Sequence, residues 1–134
     1  ERFRETPELW ALHPEHPSDH RSHQPNGTKE VQFVPYIEFT APMVRASTYR
    51  SLGGLDENHH YWYQDLLFSK GIRDLGGLMG VDHGNPIQHI YRRDKVEHEV
   101  TRQRYALRKQ RDQQEISFLQ ARYGPNWRQV LWAK

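Results

Sequence analysis

Proline and glycine divide this chain more firmly than any other feature. Pro7, Pro14, Pro17, Pro25, Pro35 and Pro42 fall in the first third, Gly53 and Gly76 follow, and Gly124-Pro125 closes the polar stretch that begins at Asp94. Proline removes a backbone donor and fixes φ, and glycine favours left-handed turn positions, so regular elements have to fit between these marks. The first thirty residues, with four prolines, four histidines and the turn signal Asn26-Gly27, read mostly as loop, with a short helix after Thr6-Pro7 in PELWAL. VQFVPYIEFTAPMV, residues 31–44, is β-branched and aromatic and predicts one or two extended segments, with Pro35 at an edge or bulge. Ser47 is placed to cap a short helix, STYRSL, that Gly53 ends in a left-handed conformation.

A second helix is predicted from Tyr63 or Gln64 to Leu75, with Leu67, Phe68, Ile72 and Leu75 as its apolar face and Gly76 as its stop. GGLMGV then reads as a short buried strand, and DHGNP as the loop after it. Asp94 to Tyr123 is one long helical pattern, weakly amphipathic through Val96, Val100, Leu107, Phe118 and Leu119. The expectation is an α/β chain with a few short strands, helices and a long C-terminal helix.

With 134 residues the chain can bury the core of one small domain. Only 35% of residues are hydrophobic and the mean hydropathy is -1.01, so part of the chain, residues 1–30 first, is expected outside that core. There is no cysteine, which excludes disulfides, thiol nucleophiles and thiolate metal sites and fits a reducing compartment. No apolar run approaches the roughly 18 residues of a spanning helix. The net charge of +2 does not by itself point to nucleic acid. Residues 92–111 are locally basic, but Tyr105 alone supplies an aromatic there, so a solvated helix face is the expectation and no nucleic-acid partner is assigned.

The chemistry gathers in SLGGLDENHHYWYQDLLFSKGIRDLGG, residues 51–77. Asp65 falls in the first turn of the second helix, where free amides and the helix dipole favour an ionised carboxylate. Beside Tyr61, Trp62 and Tyr63 it is either a general base facing a ring-shaped substrate or an aspartate that merely helps the helix begin. His59 and His60 are expected as solvent-facing loop residues. The series His13, His16, His20 and His23 has the spacing of one helix face, but Pro14 and Pro17 forbid a regular helix through it.

The ordered set APMVRASTYRSLGGLDE, YWYQD, RDLGG and VDHGN, within residues 33–90, resembles the C-terminal half of the catalytic domain of family-two glycosyltransferases, which have the GT-A fold. In that family a strand and short helix lead to a GGxDE-like turn, an ED-like pair follows, a helix ends in glycine, and a strand precedes a histidine. Here these are Gly53 to Glu57, Gln64-Asp65, Gly76 and His83. The resemblance implies a partial GT-A fold in which residues 1–30 form a polar loop or lid, 31–93 the acceptor-side part of the domain, and 94–134 a C-terminal helical segment.

It further implies inverting transfer of a sugar from a nucleotide-sugar donor to an acceptor hydroxyl on a glycan, lipid or protein. Asp65 matches the catalytic base, and Trp62, Tyr61, Glu57 and Gln64 would contact the acceptor. His83 would lie near the donor diphosphate or ligate its divalent metal, Mg or Mn, and Arg92 would approach the phosphates. Three residues depart from the pattern: Gln64 stands where glutamate is common, and Leu67 and Gly71 where a second aspartate and an arginine are usual. Nothing matches the family's N-terminal half or its DxD motif, so the donor side is expected outside this chain, which alone would be inactive. The implied setting is cytoplasmic with peripheral membrane association. The alternative is a non-catalytic carbohydrate- or protein-binding module.

Overall fold

The computed structural model describes residues 1–16, 26–57, 59, 63–88 and 98–132, with residues 98–106 as backbone alone. Among the described residues, four strands form one sheet: β1 (Leu9–Pro14), β2 (Val31–Phe33), β3 (Met43–Val44) and β4 (Leu78–Asp82), in the order β2-β4-β1-β3. The helices are α1 (Arg2–Glu5), α2 (Ala46–Ser51), α3 (Gln64–Asp74), α4 (His98–Tyr123) and α5 (Trp127–Trp132). The fold is mixed α/β. β1 and β4 are parallel, with Ala11 opposite Met79 and His13 opposite Val81, and the two short edge strands run antiparallel to them.

The central strand corrects the sequence reading. Residues 9–14, expected within a polar loop or lid and partly as a helix, are the middle of the sheet, and Leu9, Ala11 and Leu12 are buried. LWAL contains no β-branched residue, and Pro7 suits a first helical turn, so its local signal is helical. The strand exists because β4 and β3 satisfy its backbone on both sides. Arg45 then fixes the N-terminal segment to this frame, donating from Nε to Leu9 O at 2.7 Å and from Nη2 to Phe3 O.

The other elements follow their punctuation. Gly53, Gly76 and Gly124 have φ of +76°, +80° and +78°, the left-handed conformations that end helices. α3 lays Phe68 and Ile72 on the sheet residues Ala11, Met79 and Val81. Its buried Ser69 Oγ accepts from the Ile37 amide at 3.2 Å. Leu75, expected on the apolar face, is exposed, and it stands just past the end of α3 as its C-cap. Of the apolar positions expected along α4, Leu119 is buried while Leu107 and Phe118 are exposed, and Val96 lies outside the described residues. α5, within the segment 94–134 expected to be helical, buries Trp127 and Leu131 against Leu66 and Leu119. Arg73 joins the layers by donating to Pro35 O and, at 2.6 Å, to Leu131 O. No helix among the described residues is long and apolar enough to cross a membrane.

Gly77, at the entry to β4, lies under the Trp10 ring, and a Cβ there would overlap the ring atoms Cδ2, Cε3 and Cγ. Gly77→Ala is therefore expected to cost about 1–3 kcal/mol, read as a fall of roughly 3–10 °C in thermal midpoint. An unchanged midpoint would mean that the indole does not pin β1 to β4.

Candidate functional site

A cleft of about 690 Å³ opens at the N-terminal end of α3, lined by Phe39, Leu55, Asp56, Glu57, His59, Gln64 and Asp65. It unites the GGLDE turn with the helix-start aspartate, two of the sequence-predicted pieces. Tyr61, Trp62 and Arg92, expected at the acceptor and phosphates, lie outside the described residues, as does His60.

Asp65 is half-buried and held at both oxygens. The Tyr36 hydroxyl donates to Oδ2 at 2.6 Å, and the Leu66 amide donates to Oδ1 at 2.8 Å. The second bond satisfies one of the helix's free N–H groups, so Asp65 does help its helix begin. Each carboxylate oxygen accepts more than one hydrogen bond, so capacity for a substrate proton remains. The helix-start position was expected to favour ionisation. Burial outweighs it, raising the Asp65 pKa above its ordinary value of 3.8 even though the bonds from Tyr36 and Leu66 pull it down. Burial first, and then the Asp65 charge beside it, raise the Tyr36 phenol strongly, so Tyr36 stays a protonated donor.

Tyr63, immediately before α3, has φ +68°, the one positive φ on a non-glycine among the described residues. A bulky residue there costs on the order of 1–3 kcal/mol, and the surroundings have to impose it. Its hydroxyl donates to Asp112 Oδ1 at 2.9 Å, and its ring meets Trp127 edge-on at 5.1 Å. Burial, then the Asp112 bond, push the Tyr63 phenol up to about 12. α4 and α5 thereby set the turn that aims Gln64 and Asp65.

Gln64 accepts from the Asp56 amide at 3.2 Å through Oε1 and donates from Nε2 to both Asp56 O and His59 O. Its amide is a clasp on the turn, and the residue also lines the cleft. A glutamate at this position could not form the clasp, because a carboxylate has no proton to offer two carbonyls. A Cβ at Gly71 would come within 2.7 Å of Leu52 Cδ2, and Leu67 packs beside the α4 and α5 cluster. Glu57 is exposed at the rim.

His59 corrects the expectation of a solvent-facing loop residue. Its side chain is 2% exposed, with the ring edge-on to Phe118 at 6.3 Å. Nδ1 lies 3.5 Å from Asp56 Oδ1, and neither ring nitrogen has a hydrogen-bond partner among the described residues. Such a buried polar group costs about 1–3 kcal/mol unless something completes it. Asp56 is in turn anchored by Arg122 of α4, whose Nη1 is 2.8 Å from Oδ2. The sequence reading assigned no role to Tyr36, Phe39, His59 or Arg122. Tyr36 and Arg122 come from 29 residues before Asp65 and 66 residues after Asp56, separations that carry no local periodicity.

Buried polar residues pool a second time where β1 and β4 end. His83 Nδ1 lies 2.5 Å from Glu15 Oε2, and its Nε2 lies 3.0 Å from Gln32 Oε1. His13 donates from Nδ1 to Pro14 O at 2.6 Å and accepts the Ala41 amide at Nε2, while burial lowers its pKa below 6.5. His16 faces Glu38 Oε2 at 2.9 Å, with its ring 4.8 Å from that of His13. Both nitrogens of His83 are thus engaged within the protein, and the described residues contain no group of three His, Asp or Glu side chains able to hold a metal ion. His83 as it stands does not fit a divalent-metal ligand. It closes the sheet end instead, together with Asp82, which accepts from Gly84 N and Asn85 Nδ2.

No family model, curated protein or solved structure matches this chain.

Replacing the clasp reports its weight. Gln64→Glu loses both donated hydrogen bonds and sets a carboxylate against two carbonyl oxygens, so a destabilisation of about 2–4 kcal/mol is expected from chemical denaturation. Gln64→Glu with wild-type stability would show that the turn is held by other groups.

Proposed function

We propose that this chain is the acceptor-side part of an inverting glycosyltransferase of GT-A fold, with Asp65 as the catalytic base. The observation that carries the reading is the carboxylate at the cleft wall, oriented by the Tyr36 hydroxyl and made more basic by burial. An acceptor hydroxyl bound beside it gives its proton to Asp65 as the oxygen attacks the anomeric carbon of the nucleotide-activated sugar. The new C–O bond forms as the bond to the nucleotide diphosphate breaks, and the nucleotide leaves with that electron pair. A carboxylate whose pKa is raised by burial is a better acceptor of that proton than a surface aspartate.

Nucleotide-sugar binding, and any divalent cation such as Mg or Mn that neutralises the departing diphosphate, belong in this reading to the donor half outside the described residues. The described residues shape the acceptor side and hold the base. A cytoplasmic, membrane-peripheral setting is part of the same proposal. The second reading, a non-catalytic carbohydrate-binding module, uses the same cleft without the proton transfer.

Asp65→Asn separates them. In the full-length protein supplied with a nucleotide sugar, turnover is expected to fall by roughly 10²–10⁴-fold. The fold should survive, because the substituted amide can still accept from Leu66 N through its oxygen while the Tyr36 hydroxyl turns to accept from the new NH₂ group. The stability sign is also fixed. A carboxyl whose folded pKa is raised contributes stability that is complete below pH 3.8 and is lost as pH rises through the folded value. At pH 7 the neutral variant is therefore expected to melt no lower than the wild type, with any advantage fading toward pH 3.8. Near-normal turnover in the variant would remove Asp65 from the reaction.

A further inference from the structure

One wall of the cleft is carried by a loop that two buried imidazoles hold. Phe39 lines the cleft and meets Phe68 of α3 edge-on at 5.4 Å. It stands in the segment 34–42 between β2 and β3, and the near half of that segment is fixed to the core. The Val34 amide donates to Met79 O at 3.0 Å, the Ile37 amide donates to Ser69 Oγ at 3.2 Å, and Ile37 is fully buried. The far half meets the end of β1 instead. His16 Nε2 lies 2.9 Å from Glu38 Oε2, and the Ala41 amide donates to His13 Nε2 at 3.3 Å. Phe39 is thus placed between two contacts to histidines that are themselves at most 2% exposed.

The Ala41 contact requires a neutral ring. His13 donates from Nδ1 to Pro14 O at 2.6 Å, so its one proton sits on that nitrogen and Nε2 is the acceptor. A second proton would turn Nε2 into a donor facing another donor, and the Ala41 amide would lose its bond. The surroundings weigh against that proton. Burial lowers the His13 pKa most, the Pro14 bond raises it, His16 lowers it and Glu38 raises it, and the balance falls below 6.5. The two rings are 4.8 Å apart, so a proton on His13 while His16 is charged sets two imidazolium ions together out of water. Glu38 faces the pair. The further titratable groups at this end of the sheet are Glu15, engaged with His83, and Asp82, engaged with Arg2, Gly84 N and Asn85.

We infer that His13 is an acid-sensitive latch on this loop: neutral, it holds Ala41 and keeps Phe39 against the cleft, and protonated, it releases residues 38–41 and opens that wall. The latch goes beyond the transferase reading and is independent of it, since it concerns the shape of the cleft and not the reaction. A ligand seated against Phe39 is held at neutral pH and let go on acidification. The sign follows from the ring itself. The folded ring binds its proton less readily than the unfolded one, so the latch is complete above pH 6.5 and is lost as pH falls through the folded value.

The test follows the isotopically labelled 134-residue chain by NMR from pH 8 to pH 4.5. At pH 8 the His13 ring is expected as the Nδ1–H tautomer. As it takes its second proton, at a midpoint below 6.5, the protection of the Ala41 amide from hydrogen exchange, corrected for the intrinsic rate, should fall about fivefold. The Phe39 ring resonances should shift with the same midpoint, while the amides of β1 and β4 keep their protection. His13→Gln, whose side-chain carbonyl can accept from Ala41 and does not titrate, should hold Ala41 at one level of protection across the range. His16→Gln keeps a donor toward Glu38 and removes the ring that opposes the His13 proton, so its step should move to higher pH. This second variant carries the test if His13→Gln does not fold.

A step at Ala41 that persists in His13→Gln, or keeps its midpoint in His16→Gln, belongs to another group and overturns the inference. So does a titrating His13 that leaves Ala41 and Phe39 unmoved, a ring still neutral at pH 4.5, or a loss of protection that runs through the whole sheet at once. None of these outcomes bears on Asp65 as base.

Discussion

The parallel pairing of β1 with β4 is the constraint on which the molecule is built. Two segments nearly seventy residues apart lie side by side, Ala11 on Met79 through Pro14 on Asp82, so everything between them has to cross over and return. A parallel pair cannot be joined by a tight turn, and its strands need cover. β2 and β3 supply edges on either side, and α3 supplies the cover. α3 therefore has to start at one place, and that place is where the cleft forms. The Trp10 ring over Gly77 and the Arg45 clasp on Leu9 and Phe3 tighten the same junction where both strands start.

What the sequence disclosed is what neighbouring residues decide. Gly53, Gly76 and Gly124 stop elements because left-handed φ is a property of the residue itself, and α3 and β4 show their periodicity within one window. β1 was illegible because LWAL between prolines has a helical local preference, overridden by partners far along the chain. The same reason hid much of the site. Asp65 and the GGLDE turn could be picked out from their place in the chain. Tyr36, which holds the carboxylate, and Arg122, which anchors Asp56, reach it only through tertiary packing. His59 gave no signal at all, since a histidine among turn and aromatic residues is ordinarily solvated.

Two opposing fields act on Asp65, and their balance defines it. A helix N-terminus lowers a carboxyl pKa, and so do bonds from Tyr36 and Leu66, yet burial wins. The glutamine at position 64 matters to that balance. A glutamate there would place a second negative charge at the same helix start, whereas the amide is neutral and spends its protons on Asp56 O and His59 O. The chain thereby obtains a fixed turn and a single carboxylate at the head of α3.

Between residues 59 and 65 the chain tolerates a buried imidazole without a partner among the described residues, a tyrosine at positive φ, and a carboxylate drawn out of water. Each is unfavourable on its own, and relaxed alternatives exist for all three: an apolar ring, a glycine, an asparagine. His13, His83 and Asp82 are as deeply buried and have their bonds made within the protein. His59 and Asp65 line the cleft, and Tyr63 stands beside it at the start of α3. Unfavourable groups gathered at and beside the cleft are held there by the packing of α4 and α5 around the start of α3, through Tyr63 on Asp112 and Trp127 and Arg122 on Asp56.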